Sequence, residues 1–189
     1  MPAERGATLL AIARGAIAAS LGEAGPIPEP AAGWLDEPGA SFVTLMQRGE
    51  LRGCVGSLSA ERPLRADVER NARAAAFRDP RFAPLSRLEY PEIEVEVSLL
   101  SPLEPIAFET ESHALALLRP GVDGLLLEYG GQRGTFLPQV WEQLPEPDAF
   151  LEHLKKKAGL PAGFWAADLK LSRYTVRKWR ESDAKRVTH

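Results

Sequence analysis

Residues 41 to 101 and residues 122 to 180 of this chain each run hairpin, helix, strand, and that repeated order restricts the fold more than any single motif does. The first copy opens with "SFVTLMQRGELRGCVGSL", two β-rich runs on either side of Arg48-Gly49, which predict a hairpin with a tight turn. "RPLRADVERNARAAAF" then places Pro63 near a helix start and Leu64, Val68, Ala72 and Ala75 on one stripe, with an end before Pro80. In "PEIEVEVSLLSP", Ile93, Val95 and Val97 alternate with Glu92, Glu94 and Glu96, the pattern of a half-exposed strand with one acidic face. The second copy repeats the order. "GVDGLLLEYGGQRGTFLP" reads as a hairpin around Gly130-Gly131. A helix follows from about Pro147 to Ala158, with Phe150, Leu151, Leu154 and Ala158 inward and Lys155, Lys156 and Lys157 at the end the dipole favours. "LKLSRYTVRKW" reads as one last strand. Both second hairpin strands carry Arg-Gly, at Arg52-Gly53 and Arg133-Gly134, which supports an internal duplication. Hairpins and helices without regular βαβ alternation predict an α+β fold.

The chain has 189 residues, 44% of them hydrophobic, enough to bury a real core as one domain, 1–189. Its start reads as an amphipathic helix over 5–22, because Leu9, Ile12, Ala16 and Ile17 recur at helical spacing and Arg14 interrupts the apolar run that a signal peptide needs. "GEAGPIPEPAAGWLDEPGA" has too much proline and glycine for a helix or central strand, so it reads as a surface connector pinned by Trp34. Residues 111 to 118 fit a short helix. No stretch is apolar enough to span a membrane. One cysteine permits neither an intramolecular disulfide nor a multi-cysteine metal site, which points to the reducing cytoplasm.

That cysteine is the first chemical candidate. Strand alternation puts Arg52 and Cys54 on one face, and a guanidinium beside a thiol favours the thiolate. Against this stands an inert role, since free cysteine is among the most buried residue types. Gly53 and Gly56 flank it, and two glycines so close in a strand indicate a bulge or a backbone that something approaches closely. Arg52 suits anion recognition or a surface ion pair. Asp79 and Arg81, around Pro80, suit a stitched turn or a site. His113, His153 and His189 match no metal spacing, so neither metal nor cofactor is assigned. Glu92, Glu94 and Glu96 are better explained by pairing with a basic neighbour than by a cation. Lys170, Arg173, Arg177, Lys178 and Arg180 on the terminal strand supply one. That basic end, residues 170 to 186, with Tyr174 and Trp179 interleaved, is also the chain's best nucleic-acid feature, although the formal charge of −3 argues mildly against a whole-surface binder.

"FVTLMQRGELRGCVGSL", "RDPRFAPLSRLEYPEIEVEVSLLSP", "GVDGLLLEYGGQRGTFLPQVW" and "KKKAGLP" together closely resemble the AMMECR domain family, the prokaryotic members of which are called AmmeMemoRadiSam system protein A. The resemblance runs from about Ser41 to Trp179 and is most specific in "LRGCVG", where the family typically has LRGCIG. It implies two unequal subdomains with a duplicated motif. It also implies that Leu51 to Gly56 border a cleft, with Asp79, Arg81 and Phe82 nearby. Family members are associated with Memo-like proteins and a radical SAM enzyme, which makes these the expected partners, while the Arg-Gly-Cys run itself suggests a small anionic ligand met by Arg52. Three functions stay open on this reading: a catalytic or substrate-presenting pathway component, an RNA- or DNA-binding regulator, and a protein–protein interaction module without catalysis.

Overall fold

Residues 2–26, 28 and 33–186 are described in the computed structural model of the chain. Residues 27 and 29–32 of the proline-rich connector, and His189, lie outside the described residues. The chain forms two units, Met1–Leu100 with Arg177–His189, and Ser101–Val176.

In the first unit, α1 (Pro2–Leu21) ends where predicted, at Gly22 with φ 71°. The strands β1 (Ala40–Gln47) and β2 (Glu50–Gly56) form the hairpin, turning on Arg48 and Gly49 at φ 53° and 78°. Two consecutive left-handed residues are what a two-residue loop needs to follow the twist of its strands. The helix α2 (Leu64–Phe77) lays its apolar stripe on β1 and β2, and α1 packs on α2 and on β3 (Ile93–Leu100). Leu9, Ile17, Val43, Leu45, Val68, Ala72, Val95 and Val97 close this core. Two polar residues share the stripe. Asp67 is fully buried and accepts from Ser41 N, Ser41 Oγ, Ser57 Oγ, Arg62 Nη1 and Asn71 Nδ2, which ties α2 to the far end of the hairpin.

The second unit begins with the short β4 (Glu104–Pro105) and α3 (Glu111–Leu117), which Thr110 caps by accepting from His113 N. The second hairpin, β5 (Gly124–Tyr129) and β6 (Gln132–Phe136), turns on Gly130 and Gly131 at φ 55° and 83°. The helix α4 (Pro147–Lys157) and β7 (Lys170–Tyr174) complete the repeat. Leu125, Leu127, Phe150, Leu151, Leu154 and Leu171 form the core, and Trp141 stacks on Phe150 at 3.7 Å. Lys155 sits in the last turn of α4, where the dipole favours it, but not in solvent. It is fully buried, bonded to Glu111 at 2.8 Å and Glu152 at 2.7 Å, because its position on α4 is one turn from Leu151 and faces inward.

The predicted last strand is two. Ser101 N donates to the Thr175 carbonyl and Thr175 N to Ser101 Oγ, which ends β7 there. The chain resumes as β8 (Val176–Arg180), followed by α5 (Glu181–Arg186), in the other sheet. A period of two carries no mark of such a change of sheet. The sheets run β2-β1-β3-β8 and β4-β7-β5-β6, so β2-β1-β3 and β6-β5-β7 have one order and one antiparallel sense. The shared Arg-Gly has a shared cause. Gly53 lies opposite Leu45, and Gly134 opposite Leu127. A Cβ on Gly53 would stand 2.1 Å from the Ala75 carbonyl oxygen, and one on Gly134 would stand 3.1 Å from Ala158 N, so each glycine admits the C-terminal end of a helix. The fold is α+β, built on this repeat.

The acidic strand finds its partners in three directions. Arg180 on β8 pairs with Glu96 at 2.5 Å, Glu94 accepts from Ser182 N and Oγ, and Glu92 accepts from Gln47 and Arg48. With β1 on one side and β8 on the other, Glu96 and Ser98 are buried, so this strand is covered more fully than its alternation implies.

Candidate functional site

β2 is an edge strand, and the segment from Arg78 to Glu89 lies against it. Cys54 N donates to Asp79 Oδ2 at 3.0 Å. Arg52 Nε donates to Glu89 at 2.7 Å and its Nη2 to the Ala83 carbonyl at 2.8 Å. An uncovered edge invites a foreign strand, and Asp79 occupies one of its backbone groups, the Cys54 N–H.

The register contains the detail that aims Arg52. Met46 lies opposite Leu51 and Leu45 opposite Gly53, so Arg52 is the extra residue of a β-bulge. Gly53 faces α2, while the Arg52 side chain and the Cys54 backbone N–H, one on either side of it, meet the same segment. The bulge also sets Thr44 opposite Cys54, and its hydroxyl contacts the sulfur at 3.3 Å.

Asp79 organises the cluster. Its Oδ1 accepts from Arg81 N and Nε and its Oδ2 from Arg81 Nη2, besides Cys54 N. The hydrogen bonds from the Arg81 side chain hold this carboxyl well below the usual carboxylate range; burial works against them, and the backbone N–H groups of Cys54 and Arg81 add to them. Arg81 is held as a cation first by the Asp79 hydrogen bonds, and Cys54 is close enough to act on it electrostatically. Its side chain remains 54% exposed. The Phe82 ring lies 5.4 Å from the Arg81 guanidinium and 5.8 Å from that of Arg52. The structure therefore brings together Arg52, Cys54, Asp79, Arg81 and Phe82, all from the first unit.

Gly53 and Gly56 serve the packing beside this cluster. The Gly53 position is filled by the Ala75 carbonyl and that of Gly56 by the Phe42 ring, at 2.2 Å from a built Cβ. What approaches the bare backbone is thus the protein's own helix and ring. Gly53→Ala is expected to lower stability by roughly 1–3 kcal/mol or more through overpacking against α2, read as a lower urea midpoint. An unchanged midpoint would contradict the close approach.

Because Asp79 titrates lower in the folded chain than in the unfolded one, its contribution to stability is present above about pH 4 and is lost as pH falls below that. Glu89, held low first by Arg52, acts in the same direction. Asp79→Asn is expected to be less stable than wild type at neutral pH and to lose less between about pH 4 and pH 2, as measured by urea midpoints across that range.

Glu89 and Thr44 escape the sequence reading. Glu89 stands 37 positions from Arg52 with no local pattern joining them, and counting back from the turn without a bulge places Val43 opposite Cys54. The two aromatics of the basic end differ in exposure, Tyr174 being buried and Trp179 half-buried. Tyr174 is buried over Gly124 and bonded to Thr135 at 2.7 Å, and Trp179 packs over Gly6. The cations are divided between β7 and β8, and of these Arg173 donates to the Leu117 carbonyl while Arg180 pairs with Glu96. The side chains of residues 184–186 lie outside the described residues. Among the described residues no helix is long and apolar enough to cross a membrane.

The AMMECR1 family model matches residues 10–179. A protein of Methanothermobacter thermautotrophicus is 39% identical over 142 residues, which are 74% of this chain and 74% of that one. One of Aeropyrum pernix is 38% identical over 184 residues, 94% of this chain and 79% of its own length. The crystal structure of Uncharacterized Protein PH0010 from Pyrococcus horikoshii is similar with a TM-score of 0.83 at 34% identity, covering 93% of this chain and 91% of that one. These matches show that the chain belongs to the AMMECR1 family.

Proposed function

We propose that this protein is a catalytic or substrate-presenting component of a pathway that also uses a Memo-like protein and a radical SAM enzyme, and that the cluster of Arg52, Cys54, Asp79, Arg81 and Phe82 holds a small anionic group of the substrate with Cys54 as the contact beside it. One observation carries the reading. Asp79 receives the Cys54 N–H and grips Arg81 along one edge, so the backbone of the cysteine and a half-exposed guanidinium are fixed on one carboxylate. A guanidinium has five N–H donors, and Asp79 takes them only from Nε and Nη2, which leaves the rest for a carboxylate or phosphate. Arg52 adds to this: its Nη1 is the buried side-chain polar atom, among the described residues, without a hydrogen-bond partner. A buried donor left unmatched is costly and marks a place where an acceptor is wanted.

The test is protection. Inorganic phosphate or a small dicarboxylate is expected to slow alkylation of Cys54 by iodoacetamide severalfold in wild type and to leave the rate unchanged in Arg81→Gln. Equal rates with and without the anion in wild type would refute anion binding here. For the pathway, co-elution with the Memo-like and radical SAM proteins is the expected result, and separate elution of all three would count against a shared complex.

A further inference from the structure

Beyond the anion site, we infer that the rim formed by residues 78–89 and the start of β2 docks an acidic segment of a partner protein, with Leu88 as its apolar anchor. Three large hydrophobic residues are exposed among the described residues, and two of them, Leu88 at 88% and Leu51 at 40%, each immediately precede a member of the Arg52–Glu89 pair. Leu88 is not on a slack loop. Ser86 N and Oγ donate to Glu89 Oε1, Glu89 N contacts Ser86 Oγ, and Tyr90 N donates to the Ser86 carbonyl, while Arg52 holds Glu89 from the strand side. The reciprocal Ser–Glu bonds are those of a capping box. They hold the turn in one shape, with its leucine outward, before any partner arrives. Presenting an anchor in advance removes part of the ordering cost of binding.

Within residues 78–89 the exposed charges have one sign, and the exposed carboxylates Glu50 and Glu23 lie outside that segment. The segment's two carboxylates, Asp79 and Glu89, are turned inward and matched by Arg81 and Arg52. Arg78, Arg81 and Arg87 are exposed, in a chain whose formal charge is −3. Arg87 donates to the Leu21 carbonyl and lies 3.6 Å from the exposed Glu23, an arrangement that water and salt loosen easily. Pro80, Ala83 and Pro84 add exposed apolar surface between the arginines. A segment that exposes one leucine and three arginines suits a peptide in which an apolar side chain sits among glutamates or aspartates. An anionic bilayer is a poorer match, because surface binding calls for a longer apolar face or a denser basic cluster than three arginines and one leucine.

The experiment uses the full chain and a fluorescein-labelled peptide, Glu-Leu-Glu-Glu-Leu-Glu, followed by anisotropy at low salt, with Lys-Leu-Lys-Lys-Leu-Lys as its counterpart. The acidic peptide is expected to bind at least about tenfold more tightly than the basic one, and Leu88→Glu is expected to weaken it by at least about tenfold. Leu88 is so exposed that its replacement leaves the fold intact, and phosphate protection of Cys54 should persist in this variant. Absent binding, equal binding of the two peptides, or an affinity indifferent to Leu88→Glu would overturn the inference. So would binding to phosphatidylserine vesicles in place of the peptide, or self-association in sedimentation that Leu88→Glu abolishes. Loss of peptide binding with phosphate protection retained removes the docking surface alone, and the converse removes the anion site alone.

Discussion

Asp67→Ala is expected to destabilise the first unit by about 3–5 kcal/mol, the range seen when one partner of a buried ionic network is removed. The residue has no exposed surface and takes hydrogen bonds from Ser41, Ser57, Arg62 and Asn71. Truncation leaves the Ser41 N–H, two hydroxyls, an amide and a guanidinium facing a gap that Ala cannot fill. Of these, Arg62 retains access to water, whereas Ser41 and Asn71 are buried with the carboxylate. Each orphaned donor carries its own desolvation cost, which is why the expected loss exceeds that of an ordinary hydrogen bond. Urea unfolding followed by tryptophan fluorescence measures it. A loss under about 1 kcal/mol would mean the network contributes no more than a surface pair.

Lys155→Ala is expected to cost roughly 3 kcal/mol, combining a cavity with a lost buried cation. Burial alone would push this lysine's pKa down, but hydrogen bonds and charge from Glu111 and Glu152 more than offset that and hold it as an ammonium. Its ammonium group also lies 5.8 Å from the Trp165 ring, while Glu152 accepts from Gly163 N. The lysine therefore fastens both α3 and the segment after α4. Lys155→Met keeps the stem and removes the charge. Because Glu111 and Glu152 are each part-exposed and can turn to water, the Met variant is expected to lose less than the Ala variant. Equal losses would assign the whole effect to charge. Thermal unfolding of the two variants side by side decides between these.

Most of the elements were legible because each has a local cause. Arg48-Gly49 and Gly130-Gly131 mark their turns by the left-handed conformations a two-residue loop demands, and the stripe of Leu64, Val68, Ala72 and Ala75 marks a helix face. The division of "LKLSRYTVRKW" into β7 and β8 was not legible, since the change of sheet at Thr175 rests on hydrogen bonds to Ser101. Asp67 and Asn71 carry a readable signal in the sequence. They lie three and seven positions after Leu64, on the buried stripe, and a polar residue there must find buried partners. Lys155 had the same signal, masked by two neighbouring lysines that suggest a solvated helix end.

The candidate site was legible in its members more than in its geometry. Arg52, Cys54, Asp79, Arg81 and Phe82 do converge, but the bulge that aims Arg52 and the Glu89 that receives it depend on tertiary pairing. The glycines illustrate the limit. Their presence correctly signalled a close approach, but the sequence could not say that α2 and Phe42 make it.

The central claim is that Arg81, fixed by Asp79, makes the Cys54 thiol part of an anion-attracting site. It is tested most directly by the ratio of alkylation rates with anionic iodoacetate and neutral iodoacetamide on the folded chain, referred to the same ratio for a free thiol. The account predicts a ratio severalfold above the free-thiol value in wild type, falling to that value in Arg81→Gln. A wild-type ratio at or below the free-thiol value, or a thiol that neither reagent reaches until the chain unfolds, would contradict it.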